Sequence, residues 1–156
     1  MDKIDINILS SMQHDDTLSV SQVADKVGVS KTACWRRIQK LIANNVIGDR
    51  VALLNPKAVN LPLTVFISIR TNKHNDEWVS EFKDVTSNMA QILEVYRMSG
   101  DLDYLIKAVV KDMPDYDQLY KQLIKADIFD VSSSFVMEEL KHQTQLPLDK
   151  ILDNKD

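Results

Sequence analysis

Three segments in the first third of the chain repeat apolar residues at the three- and four-residue spacing of amphipathic helices. Their apolar stripes are Ile4, Ile8, Leu9 and Met12 in the first, Val20, Val23, Ala24 and Val27 in the second, and Cys34, Ile38, Leu41 and Ile42 in the third. Asp2, Ser19 and Ser30 stand at N-cap positions, and Ser19 forms a capping box with Gln22. Gly28 ends the second helix, because glycine readily adopts the left-handed conformation of a tight turn. The pattern predicts a helix-turn-helix.

The residues after the third helix, VIGDRVALLNP at 46–56, predict a turn and a short strand. A strand at this place would make the helical unit a winged variant. Asn55 and Pro56 end the strand, and the residues that follow form a connection. The predicted organisation is a helix-turn-helix domain at 1–50, a strand and linker at 51–62, a second domain at 63–148 and a tail at 149–156.

The second part of the chain alternates strand and helix patterns. The predicted strands are LTVFISIR at 63–70, ILEVYRM at 92–98, YLIKAVV at 104–110 and VSSSFVMEEL at 131–140, and the predicted helices are NDEWVSEFKDVTSNM at 75–89 and YDQLYKQLI at 116–124. The order β-α-β-β-α-β is the ferredoxin-like arrangement, so the fold class is α+β. Two helices cover one sheet face, while the other face carries Phe66 and Tyr96. Such a face needs a partner sheet, and a symmetric homodimer is the simplest solution.

Charge is divided unevenly between the two parts. The whole chain of 156 residues has a formal net charge of −4, but residues 26–48 contain no Asp or Glu and include five Lys or Arg. An acidic protein that excludes carboxylates from one helical segment is a candidate for nucleic-acid binding. A single cysteine, Cys34, fits a reducing compartment, and no apolar run is long enough for a membrane span, so we expect a cytoplasmic protein.

One face of the third helix carries the groups that read and hold DNA. Thr32, Arg36, Gln39 and Lys40 fall opposite the apolar stripe, with hydroxyl, amide and cationic groups that suit base edges and phosphates. The predicted DNA contacts are Ser30, Lys31, Thr32, Ala33, Arg36, Arg37, Gln39, Lys40 and Arg50. A solvated basic helix face is the alternative interpretation. Trp35, at the edge of the apolar stripe, is interpreted as a packing residue.

The motifs together resemble the Lrp/AsnC family of amino-acid-responsive transcription regulators. The likeness rests on DKIDINIL at 2–9, VGVSKTACWRRIQKL at 27–41, ALLNP at 52–56, RMSGDLDYLIK at 97–107 and SSSFVMEELK at 132–141. The family often has proline where this chain has Lys31 and Ala33, so the start of the third helix is expected to read different bases. NDEW at 75–78 and HQTQLP at 142–147 resemble the branch that includes a regulator of cysteine detoxification.

The resemblance implies an amino-acid effector bound between dimers, in an assembly of two or four dimers, without a cofactor or metal. The residues that match the effector region are Met98, Gly100, Asp101, Asp103, Met113, Ser133, Ser134, Phe135 and Val136. An ammonium group suits Asp101 or Asp103, and backbone N–H groups of a glycine turn suit a carboxylate. From the residues alone, turn chemistry explains the two aspartates equally well. Cysteine is the first effector to test.

Two other functions remain open from the residues. A ferredoxin-like domain can be a small hydrolase such as an acylphosphatase, but TNKHND at 71–76 has no glycine for an anion-binding loop, and His14, His74 and His142 are scattered on polar segments. The chain could also be an architectural protein that coats DNA and senses nothing. We predict a regulator rather than an enzyme.

Overall fold

The computed structural model describes residues 1–148. The chain divides into two compact units, one made of residues 1–52 and 141–148 and the other of Leu53–Leu140. Within the described residues, no helix has the length and apolarity needed to cross a membrane. The predicted tail at 149–156 lies outside the described residues.

The first unit contains the three predicted helices, α1 at Lys3–His14, α2 at Val20–Val27 and α3 at Lys31–Ala43. The predicted caps are confirmed. Ser19 and Gln22 form their capping box, and the Ser30 hydroxyl accepts the Ala33 N–H at 3.2 Å. Gly28 ends α2 in the left-handed conformation with φ of 73°. Each helix therefore begins where a local side chain satisfies its free N–H groups.

The core of the first unit corrects the predicted stripes at two positions. Ile42 is exposed, whereas Ile6, which was not assigned to the stripe of α1, is buried. The buried set is Ile6, Ile8, Leu9, Val23, Ala24, Cys34, Ile38, Leu41 and Leu148. The margin of an amphipathic stripe depends on which neighbour packs there, and the spacing alone does not define it.

Leu148 belongs to this core because the end of the described chain returns to α1. The Gln13 carboxamide donates to the Leu146 carbonyl and accepts the Leu146 N–H, both at 3.0 Å, and the Gln145 carboxamide lies 3.1 Å from His14 Nδ1. Residues 141–148 pack with the first unit, while the predicted end of the second domain at residue 148 stays a prediction. The last strand ends before this segment, so strand patterning carried no signal for the return.

The strand predicted after α3 is absent from the structure. Residues 51–55 have no regular secondary structure, and Val51, Leu53 and Leu54 are exposed. A strand requires a neighbour that accepts its backbone hydrogen bonds, and no described residue pairs with this segment. A 3-10 turn at Pro56–Val59 follows. The predicted wing is thus not formed within one chain.

The second unit has the predicted ferredoxin-like order. Its elements are β1 at Leu63–Arg70, α4 at Asp76–Ser87, β2 at Ile92–Arg97, β3 at Tyr104–Val110, α5 at Met113–Leu123 and β4 at Asp130–Phe135. The strands are arranged in the order β2-β3-β1-β4, and all neighbours are antiparallel. β4 ends at Phe135, five residues before the predicted end, and Met137 and Leu140 beyond it are exposed.

One face of the sheet packs against the two helices, and the other face does not. The helix-covered face holds the main core, in which Trp78, Phe82 and Tyr104 form an aromatic cluster with ring centroids 4.8–5.7 Å apart. On the opposite face, the register aligns Phe66 with Lys107 and Tyr96 with Leu105. Tyr96 is exposed there and Phe66 is partly buried, so the predicted open face exists in the single chain.

Candidate DNA-binding and effector sites

The face of α3 that was predicted to contact DNA is open to solvent. Lys31, Thr32, Arg36, Gln39 and Lys40 are exposed, as is the cap residue Ser30, while Ala33 is half-buried. None of the three exposed cations has an ion-pair or hydrogen-bond partner in the part of the chain that the structure describes. The helix therefore presents uncompensated positive charge and polar groups on one face, as phosphate and base contacts require.

Arg37 is engaged within the first unit. Its guanidinium donates to the Asp2 carboxylate at 2.8 Å and to the Asp5 carboxylate at 2.7 Å, which ties α3 to the beginning of α1. Hydrogen bonds lower the pKa of the Asp2 carboxyl, with the Asp5 backbone N–H as the larger cause and the Arg37 guanidinium as the next. The hydrogen bonds that Arg37 donates to Asp5 and Asp2 raise the pKa of the guanidinium. The structure thus separates Arg37, which holds two helices together, from its neighbour Arg36, which points to solvent.

Arg50 also has an internal partner. Its Nε donates to the Asp16 carboxylate at 2.7 Å, and its Nη2 donates to the Asp16 carbonyl at 2.5 Å. The hydrogen bond with Asp16 raises the pKa of the guanidinium. These bonds connect the segment after α3 with the loop between α1 and α2. Both arginines at the edge of the predicted DNA surface therefore stabilise its shape.

Trp35 is, after Ile42, a second residue of α3 for which the sequence interpretation is wrong. It was interpreted as a packing residue, yet its side chain is 53% exposed and it is absent from the core of the first unit. Cys34, one residue earlier, is fully buried, and burial raises the pKa of its thiol. The exposed arc of the helix is therefore wider than the polar residues alone indicated.

The turn between β2 and β3 is fastened to the end of β1. Asp103 donates its N–H to the Ile69 carbonyl at 2.9 Å, and its carboxylate accepts the Thr71 N–H at 2.8 Å. Arg70 Nε donates to the Asp101 carbonyl at 2.8 Å, and Gly100 has φ of 119°. The Asp101 carboxylate is exposed and has no partner within residues 1–148. Of the two aspartates, Asp101 is thus the one free to accept an ammonium group.

The remaining predicted effector residues lie elsewhere on the sheet. Ser133 and Phe135 face α5, where the Tyr116 hydroxyl donates to Ser133 at 2.6 Å and the Tyr116 ring meets Phe135 edge-on at 4.9 Å. Ser134 pairs with Phe66 on the opposite face, and Val136 donates its N–H to the Thr64 carbonyl. Met98 and Met113 are both exposed. The predicted set therefore covers both faces of β4.

A single chain does not bring the two parts of the effector set together. On β1, Ile69 pairs with Tyr104, which follows Asp103 of the turn. Val65, four residues before Ile69, pairs with Phe135 near the end of β4. At a strand rise of about 3.4 Å per residue, this offset alone is about 14 Å. An amino acid is too small to contact the β2–β3 turn and the end of β4 of the same chain.

A groove of about 340 Å³ lies between α4 and β2, with Phe82 and Tyr104 among its lining residues and with Lys83 and Arg97 at its sides. None of the predicted effector residues lines it. Within the described residues, no group of three or more His, Cys, Asp or Glu side chains is arranged to hold a metal ion.

Comparison with known proteins gives the family. Residues 64–146 match the model of the Lrp/AsnC ligand binding domain, and residues 1–47 match a winged helix-turn-helix DNA-binding model. The glutamate uptake regulatory protein of Zymomonas mobilis is 44% identical over 98% of this chain and 94% of its own length. The DNA-binding transcriptional activator DecR of Escherichia coli is 40% identical over 96% and 99% of the two chains.

A solved structure supports the same assignment. The transcriptional regulator NMB0573 of Neisseria meningitidis, solved as a complex with L-Met, is 30% identical, covers 97% of this chain and 99% of its own, and superposes with a TM-score of 0.90. The predictions of the fold class and of a regulator rather than an enzyme are confirmed by these matches. The chain is a member of the Lrp/AsnC family, a DNA-binding transcription regulator with a C-terminal ligand-binding domain.

Proposed function

We propose that this regulator reads its operator through α3 and responds to a free amino acid that binds where two subunits meet. The observation that carries the DNA part is the exposed face of α3. Arg36 and Lys40 have no partner there among residues 1–148, and residues 26–48 contain no carboxylate side chain. Arg37 and Arg50, which are bound to acidic residues, maintain the surface and contribute less direct contact.

The test of α3 compares three neighbouring cations. Arg36→Ala should weaken operator binding by about 1–3 kcal/mol and relax base preference if the guanidinium reads guanine. Lys40→Ala should lower the affinity for all DNA sequences alike and make DNA binding less dependent on salt concentration. Arg37→Ala is the matched control, since it should change the thermal stability of the first unit more than the salt slope. Equal binding by the parent, Arg36→Ala and Lys40→Ala would exclude α3 as the reading helix.

The sheet supports a homodimer as the working unit. Its open face carries Phe66, Leu105 and Tyr96, and a second copy that packs there would remove this apolar surface from water. Assembly of dimers into a tetramer or octamer is part of the same proposal. Sedimentation of the full chain should give a dimer or larger species, and operator half-sites should be spaced by whole helical turns. A monodisperse monomer would contradict it.

The effector is proposed to be an α-amino acid held by residues of two subunits. The offset of about 14 Å between the turn and the end of β4 supports this arrangement, because only a second chain can supply the missing half. Asp101 would accept the ammonium group, and turn N–H groups would hold the carboxylate. Asp103, whose carboxylate already accepts the Thr71 N–H, would preserve the turn.

The effector test is a thermal-shift screen of the twenty amino acids, beginning with cysteine and then methionine. An effector at about 100 times its dissociation constant should stabilise the protein by about 2.7 kcal/mol. Asp101→Ala should abolish the shift with unchanged stability of the free protein. Asp103→Ala should lower that stability by about 1–3 kcal/mol, because the Thr71 N–H loses its acceptor. An undiminished response in Asp101→Ala would place the amino acid elsewhere.

A protein that coats DNA without an effector is the second candidate. The exposed cations of α3 fit both a regulator and a coating protein. The two functions differ in whether an amino acid changes DNA binding. DNA-binding titrations with and without the screened amino acid should differ by the coupling free energy, typically about 1–3 kcal/mol. Identical titrations with all twenty amino acids would favour the coating protein. In both cases we infer a cytoplasmic location, since this is where bacterial DNA is bound, and cell fractionation tests it.

A further inference from the structure

The two tryptophans of this chain have opposite environments. Trp78 is 4% exposed and its Nε1 donates to the Ala126 carbonyl at 2.8 Å, so packing and a hydrogen bond account for it. Trp35 is 53% exposed and has neither a ring partner nor a hydrogen bond within the described residues. A large apolar side chain left in water is informative when it lies on a surface that already has a candidate partner.

Trp35 lies on that surface. Residues three and four positions apart are neighbours on a helix, so Thr32, Trp35 and Gln39 form one continuous row, and Ile42 extends it. All four are exposed. The row runs beside Arg36 and Lys40, and the whole face lacks a carboxylate. The indole therefore lies beside the polar and cationic groups of the DNA face, and Ile42 is its exposed apolar neighbour in the row.

The chemistry of DNA offers a match for an indole on this face. In the major groove the edges of the bases present hydrogen-bonding groups and one apolar feature, the C5 methyl group of thymine. An exposed apolar side chain gains free energy when it removes such a methyl group from water. The flanking cations would hold the backbone phosphates and so keep the indole at the floor of the groove.

We propose that Trp35 is a specificity-determining residue that packs against thymine methyl groups in the major groove of the operator. This inference rests on the proposed role of α3 as the reading helix. A contact between copies of the chain is the competing use of an exposed indole, and the experiments below separate the two.

The first experiment follows the fluorescence of Trp35. The DNA probes are a duplex enriched from a random library by binding to the full-length protein, and a random duplex of equal length. Without DNA, acrylamide should quench the parent strongly and Trp35→Phe weakly, because Trp78 is buried. The enriched duplex should protect the parent to the level of Trp35→Phe. An indole that stays quenchable in the complex overturns the proposal.

The second experiment removes the methyl groups. Replacing each thymine of the enriched duplex by uracil in turn should weaken parent binding about fourfold at each contacted position, the fold-change that the transfer free energy of one methyl group gives. The same replacements should have no effect on Trp35→Ala. Trp35→Ala itself should lose at least about tenfold in affinity for the enriched duplex and little for the random one. Its thermal stability should be unchanged, because the side chain is exposed. Equal losses on both duplexes, or the same uracil effect in both proteins, overturn the proposal.

Two outcomes identify which idea has failed. If Trp35→Ala binds like the parent while Arg36→Ala and Lys40→Ala are impaired, α3 reads DNA without the indole, and only this inference is wrong. If all three variants bind like the parent, the reading helix itself is misassigned. A smaller species of Trp35→Ala than of the parent in sedimentation without DNA would show that the indole contacts another copy of the chain, which overturns the proposal.

Discussion

The two units of this protein present their candidate sites in different ways. In the first unit, one helix of 13 residues carries nearly the whole predicted DNA surface, and its exposed polar and cationic side chains follow from their positions along that helix. In the second unit, most of the predicted effector residues come from a turn and a strand end that the sheet register holds about 14 Å apart. A site on one helix is complete in one chain, whereas a site distributed over a sheet can require a second copy.

The hydrophobic cores of the two units also differ. The core of the first unit is small and aliphatic, and it includes Cys34 and a residue from the end of the described chain, Leu148. The core of the second unit lies between a four-stranded sheet and two helices, with aromatic rings at its centre. If the units are as separate as their packing indicates, a core substitution should destabilise one and spare the other.

The largest effect is expected in the second unit. Phe82→Ala removes a fully buried ring from the cluster with Trp78 and Tyr104. We expect the free energy of unfolding of the second unit to fall by about 3–5 kcal/mol. Urea unfolding measures it, followed by Trp78 fluorescence in a Trp35→Phe background, because Trp35 of the first unit also emits. Phe129→Ala is the matched control, since Phe129 is 70% exposed and the change should stay within about 0.5 kcal/mol. The first unit should keep its helical circular dichroism, and a simultaneous loss would show that the units unfold together.

The next effect tests the return of the chain to the first unit. Leu148→Ala should destabilise this unit by about 2 kcal/mol, the lower part of the range for buried leucine, because the residue lies at the edge of the core. Leu146→Ala is the control, since its side chain is exposed and its hydrogen bonds to Gln13 use the backbone alone. Thermal unfolding followed by circular dichroism distinguishes the two. Equal Tm values would mean that the segment adds nothing to the first unit.

Cys34 gives a chemical probe of the first unit alone. Burial excludes reagents and raises the pKa of the thiol, which lowers the reactive thiolate fraction at neutral pH. The thiol should therefore react with an aromatic disulfide reagent only when the unit opens. Cys34→Ser should cost about 1–3 kcal/mol, because the hydroxyl enters an apolar site without a partner. Fast labelling of the folded parent at neutral pH would contradict the burial.

The smallest effect is the response of each unit to acid. In the first unit, hydrogen bonds from the Thr17 hydroxyl and the Thr17 N–H lower the pKa of the Asp15 carboxyl below its ordinary value of 3.8. In the second unit, hydrogen bonds from the Tyr96 hydroxyl and from Lys107 lower the pKa of the Glu94 carboxyl below its ordinary value of 4.5. A carboxyl whose folded-state pKa is lowered stabilises the fold above its unfolded-state pKa. This contribution is lost as the pH falls through the folded-state value.

Both units should therefore lose stability below about pH 4. Asp15→Asn should flatten the acid slope of the first unit alone, and Glu94→Gln that of the second. Unfolding free energies between pH 2 and 6 measure the slopes, with Trp78 fluorescence in a Trp35→Phe background for the second unit and circular dichroism for the first. A change of slope in the other unit would argue against their separation.

The sequence by itself determined the features that depend on neighbouring residues. Caps, spacing and alternation predict the helix starts after Asp2, Ser19 and Ser30, the left-handed turn at Gly28 and the order of strands and helices along the second unit. The structure has all of them. The exposed cations of α3 were predicted for the same reason, since 3.6 residues per turn fix which side chains share a face. The family resemblance, carried by short motifs, gave the function.

Only the tertiary structure decided which of these side chains are free. It engaged Arg37 with Asp2 and Asp5, about thirty residues away in sequence, and left its neighbour Arg36 open. It also exposed Trp35 and left the predicted strand after α3 without a partner. Periodicity defines the face on which a residue lies, but an ion pair, a buried ring or a paired strand needs a second segment brought into place by folding.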